Sequence, residues 1–326
     1  MSSANGSAEH GSRFEGARRV LSDRPELMLI VILLLLLVGS ELAQPGFLSA
    51  RQLSNLLFSA APLALLAAAN TLVMLTGGID LSVAATATAA AYMLTGQGTQ
   101  GTPRAILVAL GVGLAVGLVN GIGVGVFRVN ALIMTLGMSA IVVGALTLYA
   151  QRSNVPLVPD AIRELGGGTV ATYVPKSLFL WGVISALIIL GLRYSGFGRM
   201  VYAVGDNPVA CRLAGVRVWQ VLIATYAAAG VLSALAGILL VGLTNAADLG
   251  LAIPFLLPSI AAVVVGGTSI FGGTGGYGGT IFGVLILTVL DTLLNLLQAS
   301  QSLKQILYGA IIIGLASLYA RTSSSE

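Results

Sequence analysis

The chain is 326 residues long; 56% of them are hydrophobic, 9% are charged and the formal net charge is +4. A soluble domain carries about 25% charged residues, so this composition places the protein in a membrane, where each spanning helix needs about 20 mostly apolar residues. The single cysteine, Cys211, excludes an intramolecular disulfide, and the single histidine, His10, lies in a Ser/Gly-rich tail, which excludes a histidine metal site or proton relay in the core.

Arg13, Arg18, Arg19 and Arg24 precede the first apolar run, Leu27 to Val38, as the charged region of a signal peptide does. Gly39-Ser40-Glu41-Leu42-Ala43 is a poor cleavage site, so the run reads as an uncleaved first span behind a polar cytoplasmic tail, residues 1–25. Apolar runs punctuated by Gly, Pro and charge then give ten spans, near 26–43, 59–76, 80–95, 105–126, 131–150, 177–192, 219–242, 258–271, 280–298 and 303–320. The expected fold is an all-α integral membrane protein, a polytopic bundle of about ten helices over residues 26–320, with a short polar tail at 321–326. The eighth run is short enough to be re-entrant, which would change the parity.

Ten spans put both termini on one side. With the N-terminus inside, Arg13, Arg18, Arg19, Arg24, Arg128, Arg193, Arg199, Arg212, Arg217 and Arg321 fall on the inner face. Arg51, Arg104, Arg152, Arg163, Lys176 and Lys304 fall on the outer face or outer helix ends. The excess on the inner side follows the positive-inside rule and accounts for the net charge without nucleic acid as a partner.

Some patterns describe packing. Gly113, Gly117, Gly121 and Gly125 recur every fourth residue on one helix face, the spacing that lets two backbones approach closely in lipid. The small-residue stretch Ala84 to Ala91 with Thr86 and Thr88 carries the same message, with hydroxyls free to return to the helix backbone. The glycine-rich run from Gly266 to Gly279 is not a Walker A loop, because that loop needs a Gly-Lys-Ser/Thr sequence and the only lysines, Lys176 and Lys304, follow Pro175 and Leu303. It reads as a tight irregular turn with its backbone close to a partner helix. Any ATPase driving this chain is therefore a separate polypeptide.

Acidic and amide residues inside apolar runs are costly unless they face water or a partner. Asp80, in Thr76-Gly77-Gly78-Ile79-Asp80-Leu81-Ser82, sits where two glycines break a helix, and either caps the following helix together with Ser82 or faces a polar path. Asp291 either contacts a polar partner across the bundle or meets substrate in a wet cavity. Asn70, Asn120 and Asn295 suit interhelical hydrogen bonds. Asn70, Thr76, Asp80, Ser82, Asp291 and Asn295 together are the candidate residues of a translocation path.

The basic segment 193–217 contains a short helix-forming piece, Pro208 to Leu213, started by Asp206 and Asn207 and ended by Gly215. Asn207 suits the N-cap, Pro208 the first turn and Gly215 the C-cap. Such a helix at the membrane face is either a docking element or an interfacial helix anchored by arginines at lipid headgroups.

Four blocks then stand in order along the chain: Leu75-Thr76-Gly77-Gly78-Ile79-Asp80-Leu81-Ser82-Val83, Thr135-Leu136-Gly137-Met138, Gly205 through Val216, and Ile260 through Ser269. Together they make the chain resemble the permease subunit of ribose/xylose/galactose-type ABC importers. The resemblance implies a two-permease core in the inner membrane, a cytoplasmic ATPase and a periplasmic sugar-binding protein, with no cofactor or metal in the permease. It also implies that the loop carrying Gly205, Asp206, Asn207, Pro208, Ala210, Arg212, Leu213, Ala214 and Gly215 supplies the coupling helix seated on the ATPase. The chain departs from the family pattern at Asn130-Ala131-Leu132-Ile133 and at Phe255-Leu256-Leu257-Pro258, so the resemblance carries the transport class and not one particular sugar. The rival readings are a permease for branched-chain amino acids or nucleosides and a secondary transporter, which needs ion sites and often inverted repeats. A membrane enzyme is disfavoured, because no nucleophile and base stand at catalytic spacing.

Overall fold

The computed structural model describes residues 25–151 and 157–323. The expected N-terminal tail, His10 and its four arginines lie outside the described residues, as does Arg152. Thirteen α-helices make up the described chain: α1 (Pro25–Ala43), α2 (Ala50–Leu75), α3 (Val83–Gly96), α4 (Thr102–Gly125), α5 (Ala131–Ala150), α6 (Asp160–Gly167), α7 (Lys176–Tyr194), α8 (Gly196–Asp206), α9 (Pro208–Leu213), α10 (Val218–Thr244), α11 (Leu256–Val265), α12 (Tyr277–Leu296) and α13 (Gln301–Ser323). Among the described residues, strands are confined to one two-stranded hairpin, β1 (Thr169–Val170) with β2 (Val174–Pro175).

Six of these helices, α2, α4, α5, α7, α10 and α12, are long and apolar enough to cross a bilayer. Two of the ten expected spans are shorter than the apolar runs that announced them. The run 80–95 becomes α3, 14 residues or about 21 Å at 1.5 Å per residue, because the backbone from Gly77 to Ser82 is irregular. The run 258–271 becomes α11, only 10 residues, because the helix stops at Val265 where the glycines begin. Neither reaches the roughly 30 Å of a hydrocarbon core by itself, so the ten-span count is approximate. In the other direction, α2 begins nine residues before its expected start at 59. The Ser49 side chain accepts from the Gln52 N–H and caps it, and Pro62 is carried inside the helix.

The core is built on α2, whose residues from Ala60 to Leu75 are buried on all sides, as a helix apolar all round requires. Around it stand α10, α11, α12 and α7. Two hydrogen bonds lock the centre, from Tyr277 Oη to the Ala64 carbonyl at 3.1 Å and from Trp181 Nε1 to Tyr277 Oη at 3.1 Å.

The glycine ladder of α4 does what its spacing predicts. A Cβ on Gly117 would overlap the Tyr226 carbonyl of α10, one on Gly121 would lie 2.7 Å from the Ile223 Cα, and one on Gly125 would lie 2.9 Å from the Trp219 carbonyl. Thr88 Oγ1 returns to the Ala84 carbonyl at 2.9 Å and also accepts from the Ala252 N–H at 3.1 Å, pinning the loop after α10 into the bundle. At that end of α10 the short helix α6 lies against Gly242, with Ile162 buried. Lys176, beside the exposed Glu164, closes this segment and holds the Glu164 carboxyl below its usual range.

Candidate coupling junction and polar sites

Segment 193–217 folds as expected around its short helix. The Asn207 side chain accepts from the Val209 and Ala210 N–H groups at 3.0 and 2.9 Å, with Pro208 in the first turn. At the other end the Gly215 N–H reaches the Arg212 carbonyl at 3.1 Å and the Val216 N–H reaches the Cys211 carbonyl at 2.9 Å, with Gly215 at φ +82°. This paired arrangement is the Schellman cap; Ala214 is the C-cap residue and Gly215 follows it, one position beyond the expected cap. Asp206 does not start α9 as expected, since it is the last residue of α8. Only Cys211 is buried in α9, whereas Val209 and Leu213 are 55% and 86% exposed. The helix stands proud of the bundle with an apolar face free.

The turn before α9 is where the segment meets the rest of the protein. Gly205 has no room for a side chain: a Cβ there would overlap the Leu75 carbonyl and lie 2.6 Å from the Gly273 nitrogen. The Gly273 N–H donates to that same Leu75 carbonyl at 3.1 Å, and Tyr202 Oη donates to the Gly275 carbonyl at 2.9 Å. The end of α2, the end of α8 and the glycine-rich loop after α11 thus meet backbone to backbone. The glycine loop is the tight turn that its composition predicts.

Immediately beyond Leu75 the chain breaks. The Gly78 N–H returns to the Val73 carbonyl at 3.2 Å and the Gly77 N–H to the Met74 carbonyl at 2.9 Å, a second Schellman cap with Gly77 at φ +79°. α11 ends in the same way, with Thr268 to Val263 at 3.1 Å and Gly267 to Val264 at 3.0 Å. After the break, Asp80 Oδ1 accepts from both the Ser82 N–H at 2.8 Å and the Ser82 hydroxyl at 2.6 Å. The expected capping of α3 by these side chains is not made. Ser82 is the N-cap residue, yet its hydroxyl points to Asp80 and receives Asn120 Nδ2 at 2.8 Å, so the pair shapes the turn instead. Asn70 joins from the side, donating to Ser259 Oγ at 3.1 Å and accepting the Asp80 N–H at 3.4 Å. Thr135 of α5 completes the ring, accepting the Leu81 N–H at 3.1 Å.

Four of the expected path residues, Asn70, Thr76, Asp80 and Ser82, therefore come together, and all but Thr76 are buried in hydrogen bonds. The other two, Asp291 and Asn295, sit at the opposite end of the bundle near the end of α12. There Asn295 Nδ2 donates to Asp291 Oδ2 within one helix, while Lys304 and Tyr308 of α13 both donate to Asp291 Oδ1 at 2.9 Å. Asn70, Asn120 and, through Lys304 Nζ at 2.6 Å, Asn295 make the interhelical bonds expected of them. Sequence reasoning missed Ser259, Tyr226, Lys304 and Tyr308 as members of polar sites. Lys304 alone carried a readable signal, a lysine three residues into an apolar helix. Tyr226, fully buried, lies against the break at Gly78 and, with Arg128, Arg212 and Arg217, lines a cavity of about 440 Å³ under α9.

Residues 52–316, a range that holds all of these contacts, match the family described as branched-chain amino acid transport system / permease component. The chain belongs to this permease family. The permease is 36% identical to the ribose import permease protein RbsC of Escherichia coli over 89% of its own length and 91% of that protein's. It is 34% identical to the fructose import permease protein FrcC of Rhizobium meliloti over 90% of its length and 84% of that protein's. With the L-arabinose ABC transporter permease protein AraH of Azospirillum brasilense it shares 30% identity over 87% and 84% of the two chains. No solved structure matches it. The permease is a multi-pass membrane subunit of the ABC importer type, whose ATPase is a separate subunit. In space three of the four blocks that mark the resemblance meet directly, Thr135 on Leu81 and Gly205 on Leu75, and Asn70 of α2 ties Ser259, the residue before the fourth, to Asp80.

Proposed function

We propose that the permease carries a monosaccharide or related polyol inward across the cell membrane, delivered by a periplasmic binding protein and driven by an ATPase that docks on α9. The observation that carries the reading is the junction at Gly205. A capped helix with an exposed apolar face is joined, through one turn without side-chain room, to the break between α2 and α3. Push and pull on α9 is passed to Leu75 and Gly273 by backbone contact, with no side chain between that could absorb it by changing rotamer. Cores and interfaces of this kind switch between discrete arrangements and do not deform smoothly.

α9 and both chain termini face the cytoplasm in this reading. Arg128, Arg212 and Arg217 line one cavity under α9, a gathering of basic residues of the kind that orients a membrane protein. Two copies of the permease form the pore. The hydrolytic site belongs to the ATPase, because the permease has no lysine in a phosphate-cradling sequence.

The family description names branched-chain amino acids, whereas ribose, fructose and L-arabinose are the cargoes named for the relatives matched over most of the chain. The second group favours sugars. The test is uptake of labelled D-ribose, D-fructose, L-arabinose and L-leucine by cells expressing the permease with its ATPase and binding protein. Uptake of a sugar that ceases in Ala210→Glu, together with loss of ATPase co-purification in that variant, is the expected result. Uptake of L-leucine and no sugar overturns the substrate class, and undiminished co-purification overturns the docking assignment.

A further inference from the structure

At the end of the bundle opposite α9, a cavity of about 220 Å³ lies between α2, α11, α12 and α13. At about 30 Å³ per liquid water this is room for roughly seven waters, a space on the scale of a small solute. Part of its wall is apolar, from Phe255 and Pro258, and part is polar, from Asp291, Asn295 and Lys304, with the Ser59 hydroxyl also at its edge.

The polar part is organised around one carboxylate. Lys304 Nζ donates to Asp291 Oδ1 at 2.9 Å and to Asn295 Oδ1 at 2.6 Å, Tyr308 Oη donates to Asp291 Oδ1 at 2.9 Å, and Asn295 Nδ2 donates to Asp291 Oδ2 at 2.9 Å. Lys304 and Tyr308 are buried, 4% and 1% exposed, while the Asp291 side chain keeps 44% of its surface accessible. Asp291 is thus held from behind and open in front. A carboxylate has about four acceptor sites and an ammonium three donors; three and two of these are engaged here, so each keeps one free. A mere tie between α12 and α13 needs neither the open carboxylate face nor the cavity before it.

The ion pair cancels its own charge, so the cavity presents a free donor and a free acceptor beside an aromatic ring without a net field to attract an ion. That is the requirement of a neutral polyol, whose hydroxyls both give and accept hydrogen bonds and whose C–H face covers apolar surface. A zwitterionic amino acid would have to insert its own charges into the Asp291–Lys304 contact and break it.

We propose that this cavity is a polyol-binding subsite of the permease, in which Asp291 accepts from a sugar hydroxyl, Lys304 donates to one, and Phe255 covers the ring. The proposal rests on the reading of the permease as a sugar importer. Lys304, Asn295 and Tyr308 are also positioning residues, since they fix the Asp291 carboxylate.

The test uses the full chain with Cys211→Ala, which removes its sole cysteine, and Ser59→Cys at the cavity edge. The rate of maleimide labelling at position 59 is read with D-ribose, D-fructose, L-arabinose or L-leucine present. The sugar that the importer takes up should slow labelling several-fold, L-leucine should not, and Asp291→Asn should abolish the protection while raising the KM for uptake. Ser59→Trp, which leaves the ion pair intact, should block uptake with normal membrane abundance and normal ATPase co-purification. A sugar that is taken up yet gives no protection overturns the subsite and leaves the sugar reading standing. Protection and uptake with L-leucine alone overturn both.

Discussion

Gly205 and Gly215 stand ten residues apart and are glycine for different reasons. At Gly215 a Cβ would meet nothing within 4 Å, so the constraint is its φ of +82°, and Gly215→Ala should cost about 1 kcal/mol through conformation alone. At Gly205 a Cβ would overlap backbone of α2 and approach the Gly273 nitrogen at 2.6 Å. Gly205→Ala should therefore destabilise the junction by about 1–3 kcal/mol, as overpacking does. Measured by thermal denaturation in detergent and by uptake, Gly205→Ala should be the more damaging of the two, and equal behaviour would mean that the junction yields. Asn207→Ala removes the cap of α9, worth about 1 kcal/mol, and should weaken ATPase co-purification without lowering membrane abundance. Asn207, Pro208 and Gly215 were readable in sequence because capping is local chemistry. The need for glycine at 205 was not, since its reason lies in Leu75 and Gly273, distant along the chain.

Among the elements, α4 offers an internal control. Gly117 faces the backbone of α10, while at Gly111, six residues earlier in the same helix, a Cβ would meet nothing within 4 Å. Gly117→Val should force α4 and α10 apart and lower the amount of protein recovered from the membrane, whereas Gly111→Val should leave recovery unchanged. Quantitative blotting of membrane fractions decides it, and equal recovery would mean that close approach is not what holds the pair. The four-residue glycine period was legible because it is a surface pattern of one helix. Helix ends were less so: the polar first turns of α2, with Arg51, Gln52 and Ser54, hid nine helical residues from an apolar search. The apolar pair Ile270 and Phe271, beyond the Gly266 to Ser269 interruption, extended the apolar run past the stop of α11 at Val265. Hydropathy reports the solvent a segment can tolerate, and hydrogen bonding decides where the helix ends.

At the scale of the whole molecule, the permease holds two polar centres at opposite ends of one buried helix bundle, and they should fail in different ways. The sequence offered Asp80 and Asp291 as two acids of one candidate path; only the fold separates them, because the α2 break turns Asp80 back toward Asn70 while α12 carries Asp291 to its far end. Asp80 Oδ1 holds the turn by accepting twice from Ser82, and an amide oxygen can accept the same bonds. Asp80→Asn should therefore keep most uptake. Asp80→Ala should leave the Ser82 N–H and hydroxyl, both buried donors, without their acceptor, at about 1–3 kcal/mol each, and should stop uptake while α9, untouched, still retains the ATPase. Its sugar protection at position 59 should persist, since the far cavity makes no contact with Ser82. The reverse pattern belongs to Asp291→Asn, which should lose protection and raise KM while ATPase docking and basal hydrolysis stay normal. Uptake, co-purification and labelling measured on the same two variants test whether energy enters at one end and substrate at the other. If Asp80→Ala transports normally, the break beside Leu75 is not the element that carries motion from α9 into the bundle, whatever its packing.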